Sequence, residues 1–116
     1  MPIKSDFPDA PVANQPYFEK ILQILWTTHQ QNPNHIALVN AEDESDQVTY
    51  GDLYIHCLSI AAYLNENNFG HGDVACLVLA NCWEYFAIFI GTAIVGGATS
   101  GASILFTDCR FIYSNK

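Results

Sequence analysis

The chain has 116 residues, enough for one small domain, and half of them are apolar. Twelve acidic residues against four basic ones give a formal net charge of −8, and charged residues make up only 14% of the chain. This apolar content argues against a disordered protein, and the scarcity of lysine and arginine argues against a nucleic-acid binder, because phosphate backbones are held by clustered basic side chains.

The charged residues are unevenly distributed along the chain. Residues 1–73 contain ten acidic residues and two lysines, whereas residues 74–116 contain two acidic and two basic residues. After Lys20 the next basic side chain is Arg110, so the long segment between them has no fixed positive charge with which to hold a triphosphate. The nearly uncharged second half predicts a covering surface, which could be a membrane, another subunit or more of its own chain.

Residues 1–16 contain four prolines and no periodic apolar pattern, which predicts an irregular arm. From Tyr17 onwards, residues of one stripe recur at the spacing of an amphipathic helix: Phe18, Ile21, Leu22, Leu25, Trp26 and His29. We expect this helix to end at residues 32–34, because Pro33 disfavours helical geometry in the residue before it.

Residues 36–39 and 47–50 are two short runs of strand-forming residues joined by a polar segment, and this pattern predicts a β-hairpin. Four acidic side chains lie in or next to the connecting segment: Glu42, Asp43, Glu44 and Asp46. Their charge would suit calcium, but the alternating ligands and the central glycine of an EF-hand loop are missing. A solvent-exposed turn is therefore the favoured interpretation.

Thr49 and Asp52 match the capping box that opens many helices, in which a hydroxyl and a carboxylate satisfy free backbone amides. Five apolar residues then mark one face of a helix: Leu53, Cys57, Ile60, Ala61 and Leu64. We expect this helix to end near Asn68, with Gly70 as its left-handed stop and Gly72 continuing the turn.

The continuously apolar residues 74–79 predict a strand that is covered on both faces, as in a parallel sheet. Asn81 and Glu84 form a second pair of capping residues and predict an apolar helix that extends to about Val95. Another strand is expected around residues 103–106. The order helix, hairpin, helix, buried strand, helix, strand predicts an α/β layer architecture.

Residues 85–107 carry no formal charge, and a membrane span requires about 20 apolar residues. The large apolar side chains are concentrated in residues 85–95, however, which favours a buried core helix over a membrane span. Gly96 and Gly101 have roughly the spacing of a phosphate-binding loop, but Ala102 stands where that loop requires lysine. We interpret these glycines as allowing a helix and a strand to approach closely, with a weak backbone anion site as the alternative.

The titratable and nucleophilic side chains form no recognisable catalytic or metal-binding pattern. The four cysteines contain no C-x-x-C pair, and no histidine completes a spacing typical of zinc sites with them. They are Cys57, Cys76, Cys82 and Cys109. Cys57 and Cys76 lie in apolar stretches, and we interpret them as small hydrophobic residues. Three further candidates have no convergent partner in the sequence and are interpreted as structural: His56, His71 and Asp73. No N-terminal secretory signal is visible, which favours a reducing intracellular compartment.

Four segments in order resemble motifs of the AMP-forming adenylating enzymes. They are residues 48–53 (VTYGDL), residues 70–75 (GHGDVA, with Ala75 in place of the usual valine), residues 81–85 (NCWEY) and residues 91–98 (GTAIVGGA). The set is most similar to the branch that contains acyl-CoA synthetases, 4-coumarate–CoA ligases and firefly luciferase. The resemblance extends from about Tyr17 to Asp108.

The resemblance implies an incomplete N-terminal subdomain of the adenylating-enzyme fold over residues 17–108, between the arm of residues 1–16 and a divergent tail of residues 109–116. It also implies that ATP, with Mg²⁺, activates a carboxylic acid to an acyl-adenylate that is transferred to coenzyme A. The family's P-K-G phosphate loop, its Y-G-x-T-E motif, its ribose-binding Asp and its catalytic Lys are not found in this sequence. We therefore assign the chain no catalytic, cofactor-binding or metal-binding residue.

The expected function is that of a truncated N-terminal fragment of an acyl- or aryl-CoA synthetase, inactive by itself. One alternative is a non-catalytic interaction module that docks on a full-length relative, and uncovered apolar surface would also favour self-association. Another alternative is a small membrane-anchored protein. The family resemblance implies a cytoplasmic or peroxisomal location, although residues 114–116 (SNK) do not match the S-K-L signal of peroxisomal proteins.

Overall fold

The computed structural model describes residue 11 and residues 14–103. Its elements, in chain order, are α1 (Tyr17–Gln31), β1 (Ile36–Val39), β2 (Gln47–Thr49), α2 (Tyr50–Glu66), β3 (Val74–Leu77), α3 (Trp83–Ile94) and β4 (Ala98–Gly101). This order confirms the predicted α/β architecture. Most of the predicted arm (residues 1–10, 12 and 13) and the whole predicted tail lie outside the described residues.

The strands form two separate pairs. β1 and β2 pair antiparallel as the predicted hairpin, with an irregular register between Ile36 and Leu38. β3 and β4 pair in parallel, from Val74 opposite Ala98 to Leu77 opposite Gly101. The helix α3 connects the two parallel strands, as such a crossover requires.

The core lies where α2 packs against both α1 and α3. Its buried side chains come from all three helices and from β2: Leu25, Val48, Leu53, Cys57, Ala87 and Ile90. Leu53 and Ile90 are almost completely buried, and each such side chain stabilises the fold by about 1.5–3 kcal/mol. Gly51 permits the close approach of α1, because a Cβ atom there would overlap the imidazole ring of His29.

The predicted N-terminal cap of α2 is present in the structure. The Thr49 hydroxyl oxygen accepts a hydrogen bond from the backbone N–H of Asp52 at 3.1 Å. The carboxylate of Asp52 in turn accepts a hydrogen bond from the Thr49 hydroxyl at 2.8 Å, rather than from the backbone amide that a full capping box would use.

The end of α2 differs from the prediction, because the left-handed residue is Asn68 (φ 57°) and not Gly70. The N–H of Phe69 donates to the carbonyl of Leu64, and the N–H of Asn68 donates to the carbonyl of Asn65. These two bonds form a Schellman motif, in which asparagine can replace glycine because it tolerates the left-handed conformation.

The start of α3 also differs from the prediction. The N-cap residue is Cys82, and no side chain caps the helix, so the capping pair predicted from Asn81 and Glu84 is wrong. Asn81 lies one residue before the cap position, and the N–H of Tyr85 donates to the backbone carbonyl of Cys82 instead. The helix has 12 residues, and none of the helices described in this structure has the length and hydropathy needed to cross a membrane.

β3 is shorter and more exposed than the sequence predicts, and β4 lies earlier in the chain than the strand expected there. β3 ends at Leu77, which is buried, but Val74 at its start is 60% exposed. The prediction of a strand covered on both faces is therefore wrong for the described part of the chain, in which Val74 and Cys76 are both exposed. β4 forms from the small residues 98–101, which the sequence analysis did not predict as a strand. Residues 104–106 of the strand expected around residues 103–106 lie outside the described part of the chain.

Candidate functional site

A cavity of about 740 Å³ lies between the hairpin turn and the start of α3. The hairpin contributes residues 38–42 and Asp46 to its wall, and the segment that leads from β3 into α3 contributes residues 80–83. We call it the junction cavity. It lies beyond the carboxyl end of a parallel strand, which is the position where open α/β sheets commonly bind ligands.

The polar groups of the junction cavity are centred on the carboxylate of Asp46. The indole Nε1–H of Trp83 donates to Asp46 Oδ1 at 3.1 Å, and the side-chain amide of Asn40 donates to Asp46 Oδ2 at 3.0 Å. The Asn40 side-chain oxygen in turn accepts from the backbone N–H of Glu42 at 2.9 Å. Since both Asp46 oxygens already accept hydrogen bonds, this arrangement fastens the hairpin to α3 and is not built to transfer a proton.

His56 lies on the exposed side of α2, and its ring centroid is 5.0 Å from that of Trp83. The indole of Trp83 is thus fixed by a hydrogen bond at its edge and by a ring contact. This contact gives His56 a structural role at the entrance of α3.

A second, shallower groove of about 470 Å³ adjoins the junction cavity and shares Leu38, Asn81 and Cys82 with it. Its remaining wall is aromatic and is formed by one side of α3: Tyr85, Phe86 and Phe89. The ring of Tyr17, at the start of α1, lies 6.1 Å from that of Phe89. The groove offers mainly apolar contacts.

The other two titratable candidates, His71 and Asp73, lie together in the turn between α2 and β3. The Asp73 carboxylate accepts a hydrogen bond from the backbone N–H of Gly70 at 2.9 Å, which closes this turn. The structure therefore does not bring the three candidates together, because His56 packs at the start of α3. The described residues also contain no cluster of three or more His, Cys, Asp or Glu side chains able to hold a metal ion.

The glycines of the segment after α3 are tightly packed. A Cβ atom at Gly97 would overlap the ring of Phe69, and a Cβ atom at Gly101 would lie 2.8 Å from the Tyr85 hydroxyl. Gly96 has a positive φ of 81°, which favours glycine where the chain turns out of α3. The contact at Gly101 agrees with its interpretation as a residue of close approach, whereas a Cβ atom at Gly96 would lie no nearer than 3.8 Å to His71, so Gly96 is explained by its backbone conformation instead.

The three cysteines that the structure describes are free thiols in different surroundings. Cys57 is buried, and burial raises its pKa to about 11. Cys76, which was also interpreted as a small hydrophobic residue, is exposed on β3, and Cys82 is half-buried. Cys109 lies outside the described residues.

The charge around the junction cavity is negative. Glu42 and Asp46 line it, and Lys20, exposed on α1, is the single lysine or arginine of residues 14–103. Such a site can donate hydrogen bonds and offer apolar surface. It cannot offset the charge of a triphosphate, which needs fixed positive groups or a metal ion close to the phosphate oxygens.

The central residues of this site were missed by the sequence analysis. Trp83 and Asp46 are 37 positions apart, and no motif spacing links a hairpin turn to the first residue of a later helix. The sequence contains only a weak indication of this contact. Asp46 is the last of four acidic residues in the hairpin turn, and these were interpreted as part of a solvent-exposed turn in preference to a calcium site.

The model of the AMP-binding enzyme family matches residues 25–113. Acyl-CoA synthetase 7 of Caenorhabditis elegans is 30% identical over 100 residues, which are 86% of this chain and 18% of that protein. Probable 4-coumarate–CoA ligase 1 of Dictyostelium discoideum is 30% identical over 101 residues, which are 83% of this chain and 16% of that protein. The chain thus spans less than a fifth of the length of these curated relatives.

A similar fold is found among solved structures. The N-terminal subdomain of NpsA from Klebsiella oxytoca matches with a TM-score of 0.67 and 19% sequence identity. The match covers 82% of this chain and 23% of that one. At this level of identity the likeness concerns the fold alone: the described elements have the fold of that N-terminal subdomain.

Proposed function

The chain belongs to the family of AMP-binding enzymes, and we propose that it is an N-terminal structural part of an ATP-dependent, AMP-forming acyl- or aryl-CoA synthetase. The observation that carries the proposal is the family match over residues 25–113, together with two curated relatives named as an acyl-CoA synthetase and a probable CoA ligase. The corresponding complete reaction joins a carboxylic acid to coenzyme A through an acyl-adenylate, with ATP, Mg²⁺ and coenzyme A as the cofactors and cosubstrates that the family uses.

We further propose that this polypeptide does not form an adenylate when it is alone. Adenylation develops negative charge on the phosphates, and enzymes offset that charge with cationic side chains and a metal ion. Residues 21–109 contain no lysine or arginine, and the junction cavity is lined by Glu42 and Asp46. The electrostatic surroundings therefore disfavour a nucleotide at this site.

The geometry of the junction cavity supports a scaffold role. Asp46 joins the hairpin to α3 through Trp83, and α3 in turn leads into β4. A hydrogen-bonded joint of this kind fixes the position of the parallel strand pair relative to the hairpin. Chemistry that requires cations would then be supplied by residues other than those of this chain.

The test is a measurement of pyrophosphate release by the purified chain with ATP, Mg²⁺ and a panel of fatty and aromatic acids. We expect no release above the rate without protein, whereas an active acyl-CoA synthetase assayed in parallel releases pyrophosphate. Isothermal titration with ATP and Mg²⁺ provides the binding measurement, and we expect no saturable heat. Pyrophosphate release by the chain alone, or micromolar affinity for ATP, would contradict the proposal.

A second candidate function is that of an interaction module, because apolar residues of β3 are exposed. A partner that covers this strand would give the module a binding function without catalysis.

A further inference from the structure

The second groove, which we call the α3 groove, is lined mainly by aromatic side chains that remain accessible. Tyr85, Phe86 and Phe89 form one wall, and Leu38 of β1 also lines it. Phe89 and Leu38 are each 39% exposed, and Tyr17, whose ring contacts that of Phe89, is 52% exposed. A contiguous accessible apolar surface of this kind is typical of a place where further polypeptide packs.

β4 brings the chain to the edge of the α3 groove. β3 and β4 are parallel and are paired as far as Leu77 and Gly101, so the chain leaves both strands in the same direction. After β3 it continues into residues 81–82, which line the groove. After β4 it passes Tyr85, since a Cβ atom at Gly101 would lie 2.8 Å from the Tyr85 hydroxyl. The N–H of Ala102 donates to the Leu77 carbonyl at 2.9 Å, which fixes this exit. The sequence that follows therefore starts beside the groove.

That sequence has the composition expected of an occupant. Residues 104–116, which lie outside the described part of the chain, read ILFTDCRFIYSNK. We call them the C-terminal segment. Six large apolar residues stand in it as two clusters, residues 104–106 and residues 111–113. A segment with this content has apolar side chains to bury, and the α3 groove offers the matching surface.

The length of the segment is sufficient for this contact. The eight residues from Ser103 to Phe111 can extend over up to about 27 Å. Tyr85 and Phe89, by contrast, are one helical turn apart, which is about 6 Å along α3. The second apolar cluster can therefore reach any part of the groove from the exit of β4.

The charge of the segment is opposite to that of the surface beside the groove. Residues 104–116 contain two of the chain's four basic residues, Arg110 and Lys116, and one of its twelve acidic residues. The junction cavity, which adjoins the α3 groove, is lined by Glu42 and Asp46. A segment of net positive charge is therefore attracted to this part of the molecule.

An occupant from the same chain also fits the size of the groove. Six residues line it, whereas a standard interface between two proteins buries roughly 800 Å² on each partner. A tethered segment is present at its binding surface at an effective concentration of the order of millimolar. Contacts that are too weak to join two molecules therefore suffice within one.

We propose that the C-terminal segment packs in the α3 groove of its own molecule, with residues 111–113 against the aromatic side chains of α3. The groove is then covered from within the chain and is closed to a separate partner while the segment occupies it. This contact is independent of the function proposed above, because no step of it uses a nucleotide or coenzyme A. It belongs to residues 109–116, which the sequence analysis identified as divergent from the family.

Two native thiols provide the first test. Cys82 lies in the α3 groove, and Cys109 stands two positions before Phe111. The full chain is treated with a short bismaleimide, and linked peptides of the monomer fraction from size-exclusion chromatography are identified by mass spectrometry. We expect Cys82–Cys109 to be the main link. Cys76 is exposed on β3 but does not line the groove, so we expect its link to Cys109 to be at least fivefold rarer.

A matched pair of variants tests the segment. Phe111→Asp removes an aromatic ring from the second apolar cluster, and we expect it to reduce the Cys82–Cys109 link at least tenfold and to accelerate alkylation of Cys82 by iodoacetamide at least fivefold. Asn115→Asp adds the same charge without removing a ring and should leave both measurements unchanged. The rate at Cys76 serves as the internal reference and should be the same in all three proteins.

A second pair tests the groove. Phe89→Asp places a charge on its aromatic wall and should reduce the Cys82–Cys109 link as strongly as Phe111→Asp does. Ile55→Asp changes an exposed apolar residue of α2 that does not line the groove, and the link should persist. Far-ultraviolet circular dichroism of the four variants should match that of the wild type. The segment variants do not alter any described residue, so they remain informative if Phe89→Asp unfolds.

Three results would overturn the proposal. One is a rate of Cys82 alkylation that is the same in the wild type and in Phe111→Asp, and another is a Cys109 that links mainly to Cys76. The third is a Cys82–Cys109 link that is found only between two molecules, which would assign the groove to the segment of a second copy. Pyrophosphate release by the chain is measured separately, and its outcome bears on the proposed function and not on this contact.

Discussion

Trp83 donates its indole N–H to a carboxylate oxygen of Asp46 at 3.1 Å, across 37 positions of sequence. This bond joins the first residue of α3 to the end of the hairpin turn, two elements that are separated along the chain by α2 and β3. The other Asp46 oxygen accepts from Asn40 within the hairpin. Asp46 is therefore the residue through which the hairpin and the parallel strand unit are coupled.

Asp46→Ala should lower the free energy of unfolding by about 1–3 kcal/mol. The substitution removes two hydrogen bonds to a charged acceptor and leaves the partly buried donors of Trp83 and Asn40 without it. Urea unfolding followed by tryptophan fluorescence measures the change. Glu44→Ala is the matched control, because Glu44 is an exposed acidic residue of the same turn, and it should change the stability by less than about 0.5 kcal/mol. Equal effects of the two substitutions would contradict the assigned role of Asp46.

Cys57 should resist alkylation in the native protein, whereas Cys76 should react readily. Burial raises the pKa of the Cys57 thiol to about 11, so the reactive thiolate is scarce at pH 8, and the side chain is also inaccessible. Cys76 is exposed on β3. Treatment with iodoacetamide at pH 8, followed by peptide mass spectrometry, should show at least tenfold slower labelling of Cys57. In guanidinium the two rates should converge, and fast native labelling of Cys57 would be inconsistent with its position in the core.

The carboxyl group of Asp43 should titrate at a higher pH in the Ser45→Ala variant. Hydrogen bonds from the Ser45 hydroxyl, at 2.6 Å, and from its backbone N–H hold the pKa of Asp43 below its ordinary value of 3.8. Since the folded pKa is the lower one, this group stabilises the turn above about pH 3.8, and its contribution is lost as the pH falls through the folded pKa. Carboxyl chemical shifts from nuclear magnetic resonance measure the titration. Ser59→Ala, on the exposed side of α2, should leave the pKa of Asp43 unchanged.

The helices and the hairpin were predictable because their signals are local. The apolar stripe that contains Leu25 and the face that contains Leu53 and Cys57 follow the helical repeat, and these residues are buried as expected. Thr49 caps α2 because it stands immediately before the first helical residue. Asn81 is also a typical capping residue, but it stands one residue before the N-cap position of α3. Whether a helix begins one residue earlier or later is set by tertiary packing.

The surroundings of β3 could not be predicted from its own residues. An apolar run indicates that a strand is suited to burial, but what covers it depends on other parts of the fold, and within the described residues the second face of β3 stays uncovered. The residues that meet at the junction cavity could not be predicted for the same reason. Asp46 and Trp83 meet because the hairpin and the start of α3 lie side by side in the fold, and neither residue stands in a motif that would indicate the contact.

Gly91→Ala should destabilise the protein by about 1–3 kcal/mol, although alanine is the better helix former by about 1 kcal/mol. Gly91 lies where α3 crosses α2, and a Cβ atom there would lie 2.6 Å from Ile60 Cγ2 and 3.1 Å from the Cys57 carbonyl oxygen. Thermal unfolding followed by circular dichroism measures the loss. Adding Ile60→Ala should cost less in the Gly91→Ala background than in the wild type, because it removes part of the overlap. Additive effects of the two substitutions would argue against direct contact.

Thr92→Val should leave the stability unchanged or raise it by about 1 kcal/mol. Thr92 is completely buried on α3, and its hydroxyl oxygen has no hydrogen-bond partner in the structure, so the fold bears the cost of removing this group from water. Valine has nearly the same shape and removes the polar atom. Thr92→Ser provides the opposite change, since it keeps the hydroxyl and deletes a packed methyl group, and we expect it to lower the free energy of unfolding by about 1 kcal/mol. Urea unfolding of the two variants separates the cost of burying the hydroxyl group from the stabilisation that the methyl group provides. If valine were the more damaging substitution, the hydroxyl of Thr92 would have to make a stabilising hydrogen bond in solution, contrary to the packing around it.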